Sequence, residues 1–185
     1  MKIFFARHGE YQNPKKLSPF QSPGFHLSDK GIEQVNLQAD KLIGERIRTL
    51  STSPIERCVE TATIIGHVIG LHPNQHGELI EVGSPLLGMK QSAIAKMSAN
   101  PPYDIPAHIA GGGETVEQIF LRMDSFVSKL KKMSKSSSHL IVSHGDPMMF
   151  FIRRVLKKEV RYIPMGGLIM LDYSQSGTPK YTEII

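Results

Sequence analysis

Cysteine is almost absent from the chain: Cys58 is the only one among 185 residues. An internal disulfide is therefore excluded, and so is a CxxC zinc site. Long apolar runs are missing as well. The longest clearly apolar stretch, Met148–Ile152, falls far short of the roughly 20 residues that span a bilayer. At the N-terminus, Arg7, His8 and Glu10 follow directly on the short stretch Met1–Ala6, which leaves no signal-peptide core of useful length. These absences predict a cytoplasmic protein with no membrane partner. No internal repeat is present, and the most biased segment is the short polar stretch Ser134–Ser138.

What is present has the balance of a soluble globular protein, with 40% hydrophobic and 21% charged residues. The length predicts one domain over residues 1–185, large enough to bury a core without a metal or disulfide staple. The formal net charge is +5. Its densest basic stretches, Lys129–Lys135 and Arg153–Lys158, read as ends of amphipathic helices, where cations complement the helix dipole. That arrangement argues against a nucleic-acid partner. Oligomeric state is not legible.

Apolar runs alternate with helical patterns, which predicts an α/β fold. Expected strands are Lys2–Ala6, Arg48–Thr52, Glu78–Val82, His139–Ser143, Gly167–Tyr173 and Lys180–Ile185. Ser28 is expected to cap a helix carrying Ile32, Val35, Ala39, Leu42 and Ile43. Ser53-Pro54-Ile55-Glu56 reads as a second helix start, with Ser53 as cap and Pro54 in the first turn, running to Ile69 before Gly70. Thr115 and Gln118 form a capping-box pattern ahead of a helix whose Val116, Ile119, Met123, Phe126 and Leu130 share a face. Pro147 begins the last helix. Between Gly83 and Gly113 four prolines break the pattern, around one short helix near Lys90–Met97. This stretch is expected to be a substrate-facing excursion.

Two histidines follow strand ends directly: Arg7-His8-Gly9-Glu10 and Ser143-His144-Gly145-Asp146. In an open α/β sheet, sites form beyond the carboxyl ends of the strands. Arg57 lies in the first turn of a helix that also follows a strand, where backbone N–H groups favour anions. Its planar guanidinium matches phosphate oxygens. A pocket holding Arg7, His8, Arg57 and His144 suits a tetrahedral oxyanion.

Four segments, in order, resemble the signatures of the histidine phosphatase superfamily, the phosphoglycerate mutase-like proteins. They are Arg7-His8-Gly9-Glu10, Leu27-Ser28-Asp29-Lys30-Gly31-Ile32-Glu33-Gln34, Ser53-Pro54-Ile55-Glu56-Arg57-Cys58-Val59-Glu60-Thr61-Ala62 and Val142-Ser143-His144-Gly145. The resemblance implies a three-layer αβα sandwich with a mostly parallel central sheet. It also implies a metal-independent phosphatase without cofactor, in which His8 takes the phosphoryl group. Arg7, Arg57 and His144 would hold the phosphoryl oxygens, and a carboxylic acid would protonate the leaving group. Glu81 is the best positional match for that acid and Glu78 the runner-up.

The chain also departs from the family. Tyr11 stands where Thr is common, Asn13 comes one residue early, and Pro14 takes the usual Asn position. Gly111-Gly112-Gly113-Glu114-Thr115 replaces a Pro-x-Gly-Glu-Ser stretch. The roles of Asn13 and of Gly111–Gly113 stay open, the latter between a phosphate cradle and a turn. No counterpart of the mutases' Glu followed by Arg-His-Tyr-Gly is found, which favours a phosphatase acting on a small phosphorylated substrate. A phosphohistidine on a partner protein is the second substrate class. A mutase of the same fold and a non-catalytic phosphate-binding module are the competing readings. Cys58 is expected to be a small buried helix residue. His26, His67, His72, His76, His108 and His139 lack ligand spacing, so no metal site is expected.

Overall fold

The computed structural model describes residues 1–97, 111–133 and 137–185. Strand β1 (Lys2–Arg7) leads into a long loop and helix α1 (Asp29–Leu42), then β2 (Ile47–Thr52), α2 (Glu56–Ile69) and β3 (Pro73–Gln75). A 3₁₀ turn (Gly77–Leu79) precedes α3 (Gln91–Met97) and α4 (Val116–Met133). The chain continues through β4 (Ser138–Ser143), α5 (Gly145–Leu156), β5 (Leu168–Asp172) and β6 (Lys180–Glu183). The six strands lie in the order β3-β2-β4-β1-β5-β6. The first four strands are mutually parallel, while β5 pairs antiparallel with β1 and β6 antiparallel with β5.

The layers follow from side-chain alternation along strands buried on both faces. Ile3 and Phe5 of β1 join Ile141 of β4 against Met123, Phe126 and Val127 of α4 and Met148, Phe151 and Ile152 of α5. Phe4 and Ala6, with Leu140 and Val142, pack on the other face against Val35, Ala39 and Leu42 of α1 and Cys58, Ala62 and Ile65 of α2. The result is the expected αβα sandwich with a mostly parallel sheet.

Side-chain caps fix the starts of α1 and α4, but not those of α2 and α5. Ser28 Oγ accepts from the Gly31 N–H at 3.1 Å and caps α1. The capping box of α4 is complete: Thr115 Oγ1 accepts from Gln118 N at 3.2 Å, and Gln118 Oε1 accepts from Thr115 N at 2.8 Å. Helix α2 starts differently from its sequence pattern. Its cap is Ile55, with no side-chain cap bond, and Ser53 and Pro54 lie outside the helix. Helix α5 begins at Gly145, ahead of Pro147.

Other expectations need correction. Glu78–Val82 is not a strand. Its first part is the 3₁₀ turn, and the third parallel strand of this half is Pro73–Gln75, a segment too short and polar to stand out by periodicity. Ile32 and Ile43 are exposed rather than core residues of α1. Much of the Gly83–Gly113 excursion and of the Ser134–Ser138 stretch lies outside the described residues. Of the excursion, α3 is present where a short helix is expected.

Candidate active site

The parallel register aligns the ends of three strands. Arg7 pairs with Ser143 and Thr52 with Val142. The backbone continues this alignment past the sheet: His8 N donates to Ser143 O at 3.2 Å and Ser53 N to Val142 O at 3.0 Å. His8, Ser53 and His144 thereby emerge on one rim. The segment after β1 is pressed against the start of α1. A Cβ on Gly31 would sit 2.0 Å from Glu10 O, so only glycine permits the contact. Gln34 Oε1 accepts from Glu10 N at 2.8 Å, and Gln38 Nε2 donates to Arg7 O at 2.9 Å.

His8 is buried, and its ring is fixed by two bonds. Nδ1 donates to Gly9 O at 2.8 Å, which leaves the lone pair on Nε2 facing Arg57 Nε at 3.3 Å. Burial first, then the charges of Arg57 and Arg7, hold its pKa well below the usual histidine value. The ring is a neutral imidazole whose Nε2 lone pair accepts from Arg57 Nε.

Arg57 is buried and Arg7 half-buried, and both have donors incompletely used. Arg57 Nη2 donates to Phe20 O at 2.8 Å and lies 3.1 Å from His144 Nδ1. Its Nη1 has no partner among the described residues. Arg7 Nη1 donates to Ile163 O at 2.8 Å, while its Nε is likewise unpartnered among the described residues. Their guanidinium groups lie over aromatic rings, Arg57 over Tyr11 at 5.4 Å and Arg7 over Tyr162 at 5.0 Å. Buried guanidinium donors without acceptors are costly, and a bound oxyanion would satisfy them.

His144 sits behind Arg57, fully buried, with Nε2 at 2.8 Å from Ser53 Oγ and 3.4 Å from Cys58 Sγ. Burial, with Arg57 next, keeps it neutral. Its Nδ1 lies 3.6 Å from Glu81 Oε2. With the imidazole uncharged, this is a polar contact rather than an ion pair. Burial pushes the Cys58 thiol up to about 12, so Cys58 is a packed neutral residue and not a nucleophile.

Glu81 and Glu78 have separate fates. Glu78 pairs with Lys129 at 2.7 Å, which holds its pKa below the usual value, and it lies outside the pocket. Glu81 lines the pocket, with a side chain only 13% exposed. Burial, reinforced by the neighbouring Asp146, pushes its pKa up to about 7. Its segment has no regular structure but is clamped. Arg122 Nη1 donates to Glu78 O at 2.7 Å, and Gln21 Nε2 donates to Glu81 O at 2.7 Å. Arg122 in turn forms a two-pronged pair with Glu114, at 2.6 Å and 3.0 Å, and Glu114 accepts from Gly83 N.

Arg7, His8, Arg57 and Glu81 thus surround one cavity of about 190 Å³, with His144 immediately behind. Asn13 is not part of it; its side chain is bonded to both the N–H and the carbonyl of Leu17. Gly111–Gly113 do not line it either. Sequence reasoning misses Ser53, Tyr11, the Phe20 carbonyl, Asp146 and Tyr162. Asp146 carried a signal, being two residues past His144. Ser53 carries one too, a pattern that predicts a helix cap.

Comparison with known proteins agrees with this geometry. Residues 3–177 match the family model of the histidine phosphatase superfamily, branch 1. The chain belongs to that superfamily. A 2,3-bisphosphoglycerate-dependent phosphoglycerate mutase of Thermoplasma acidophilum is 30% identical over 155 residues, covering 80% of this chain and 73% of the relative. Phosphoserine phosphatase 1 of Hydrogenobacter thermophilus is 25% identical over 158 residues, covering 80% and 72%. The alpha-ribazole phosphatase of Shigella flexneri shares the fold with a TM-score of 0.79, at 21% identity, covering 100% of this chain and 95% of that one. Superfamily membership places the chain among phosphatases and phosphotransferases. Among the described residues no helix is long and apolar enough to cross a membrane.

Proposed function

We propose that this histidine phosphatase superfamily member is a metal-independent phosphomonoesterase working through a phosphohistidine at His8. The carrying observation is the His8 Nε2 lone pair, which accepts from Arg57 Nε at 3.3 Å in a cavity also lined by Arg7, where each guanidinium keeps a buried donor without a partner among the described residues.

The phosphate of the ester docks against Arg7 and Arg57. His8 Nε2 attacks phosphorus, the P–N bond forms, and the P–O bond to the alcohol breaks. Glu81, which holds a proton near neutral pH, delivers it to the departing oxygen. The resulting carboxylate then takes a proton from water, which attacks phosphorus and releases phosphate from His8. Positioning and fixed positive charge supply most of the rate enhancement in such transfers. The arginines provide that charge here, so the reaction as proposed requires no metal. The substrate is a small phosphate ester of the cytoplasm.

The mutase relative keeps one other reading in view, in which an alcohol rather than water accepts the phosphoryl group. Hydrolysis of an aryl phosphate in excess chelator, by wild type and His8→Ala, tests the proposal. Chelator-resistant turnover that disappears in the variant is expected. Turnover that survives in His8→Ala overturns it. Release of free phosphate from a phosphoglycerate, instead of its return to the second hydroxyl, separates phosphatase from mutase.

A further inference from the structure

Beyond helping to raise the pKa of Glu81, the Asp146 carboxylate makes no contact with substrate in the phosphatase reading. It lines the same cavity as His8 and Glu81. It is held there by Tyr162, whose hydroxyl donates to Asp146 Oδ1 at 2.9 Å, while the Tyr162 ring lies under Arg7. This wall is tightly built. A Cβ on Gly145 would fall 2.1 Å from Tyr162 Oη and 2.9 Å from Arg7 Cζ, so Asp146 and Tyr162 reach the cavity because residue 145 is glycine.

The pocket's charges divide into two sets. Its cations, Arg7 and Arg57, both belong to the phosphoryl group. Its acidic walls are the carboxyl groups of Glu81 and Asp146, and the remaining lining residues include no Lys or Arg. Residues 98–110 contain neither Lys nor Arg, so that segment has no such cation to offer. A substrate whose alcohol portion bears a carboxylate or a second phosphate would bring that anion toward Asp146, with no further arginine to meet it. One bearing an ammonium group would meet an oppositely charged, fixed acceptor.

Building on the phosphatase reading, we infer that Asp146, oriented by Tyr162, is a specificity residue that selects phosphomonoesters with a cationic or hydrogen-bond-donating alcohol portion and rejects anionic ones. Specificity of this kind comes from the repulsive partner as much as from the attractive one. Opposite charges near a partly dehydrated wall change relative affinity by about tenfold or more.

Three esters of matched size provide the test: phosphoethanolamine, ethyl phosphate and phosphoglycolate. The readout is the ratio of kcat/KM for the ammonium ester to that for the carboxylate ester, with ethyl phosphate as internal reference. Wild type is expected to favour phosphoethanolamine by about tenfold or more. Asp146→Asn, which keeps an acceptor for Tyr162 but removes the charge, is expected to bring the ratio close to one. Tyr162→Phe, which keeps the charge and removes its tether, is expected to retain a preference of the same sign. A wild-type ratio at or below one overturns the inference, as does a ratio that Asp146→Asn leaves unchanged. An aryl phosphate run alongside separates the two levels. His8-dependent turnover of it with a flat ester ratio removes only the role of Asp146, whereas no turnover by folded protein removes the phosphatase reading itself.

Discussion

In the proposed mechanism acid catalysis rests on Glu81, and the environment of Glu81 sets the pH at which it works. Its pKa of about 7 follows mainly from burial and from the Asp146 charge. As pH rises through that value the proton is lost, so the rate on alkyl phosphates, whose leaving groups need protonation, is expected to fall above pH 7. Glu81→Gln should slow alkyl phosphates far more than aryl phosphates, about 100-fold or more against severalfold, and should abolish that alkaline fall. Equal slowing of both ester classes would remove Glu81 as the acid. The same shift carries a stability sign. The folded state retains a proton that the unfolded chain gives up at lower pH, so folding stability declines as pH rises from the ordinary carboxylate range to about 7. Glu81→Gln lacks that decline. The choice between Glu81 and Glu78 is not legible in the sequence, because the two lie on one short segment. Burial distinguishes them in the structure, and burial of Glu81 depends on distant residues. His8, His144 and Arg57 are legible because each sits within a few residues of a strand end, where local order alone fixes its position.

Among the elements, the segment from Glu78 to Gly83 has the most consequence for its length. It carries Glu81 without helix or strand to define it. The Arg122–Glu114 pair of α4 and its leading loop supplies the definition, through bonds to Glu78 O and Gly83 N. Arg122→Lys keeps the charge but loses the two-pronged fork. It is expected to lower kcat on alkyl phosphates about tenfold while sparing aryl phosphates, the same signature as Glu81→Gln in weaker form. Parallel loss on both esters would mean that the pair only stabilises the fold. Helix starts show why sequence patterns read well in some places and poorly in others. Ser28 and Thr115 bond the N–H groups ahead of them, as capping chemistry requires. Ser53 has the same pattern, but its hydroxyl is also 2.8 Å from His144 Nε2, and the helix starts later without a side-chain cap. A tertiary partner 91 residues away leaves no trace in local spacing.

At the level of the whole molecule, the αβα layering is legible because β1 and β4 are apolar on both faces and the helices between them are one-sided. The short edge strand β3 and the tertiary wall formed by Asp146 and Tyr162 are not, since neither has a periodic pattern. The sandwich gathers the strand ends on one rim, and the rim holds a neutral His8 in one cavity with two arginines. The most direct measurement is therefore to mix the protein rapidly with a phosphate ester labelled in its phosphoryl group, quench in alkali, and map the label. The expected result is label bound to the protein during turnover, stable to alkali and labile to acid as a phosphoramidate is, located on the peptide containing His8 and absent from His8→Ala. Label on another residue, or turnover at the wild-type rate by His8→Ala, would contradict a phosphohistidine at His8.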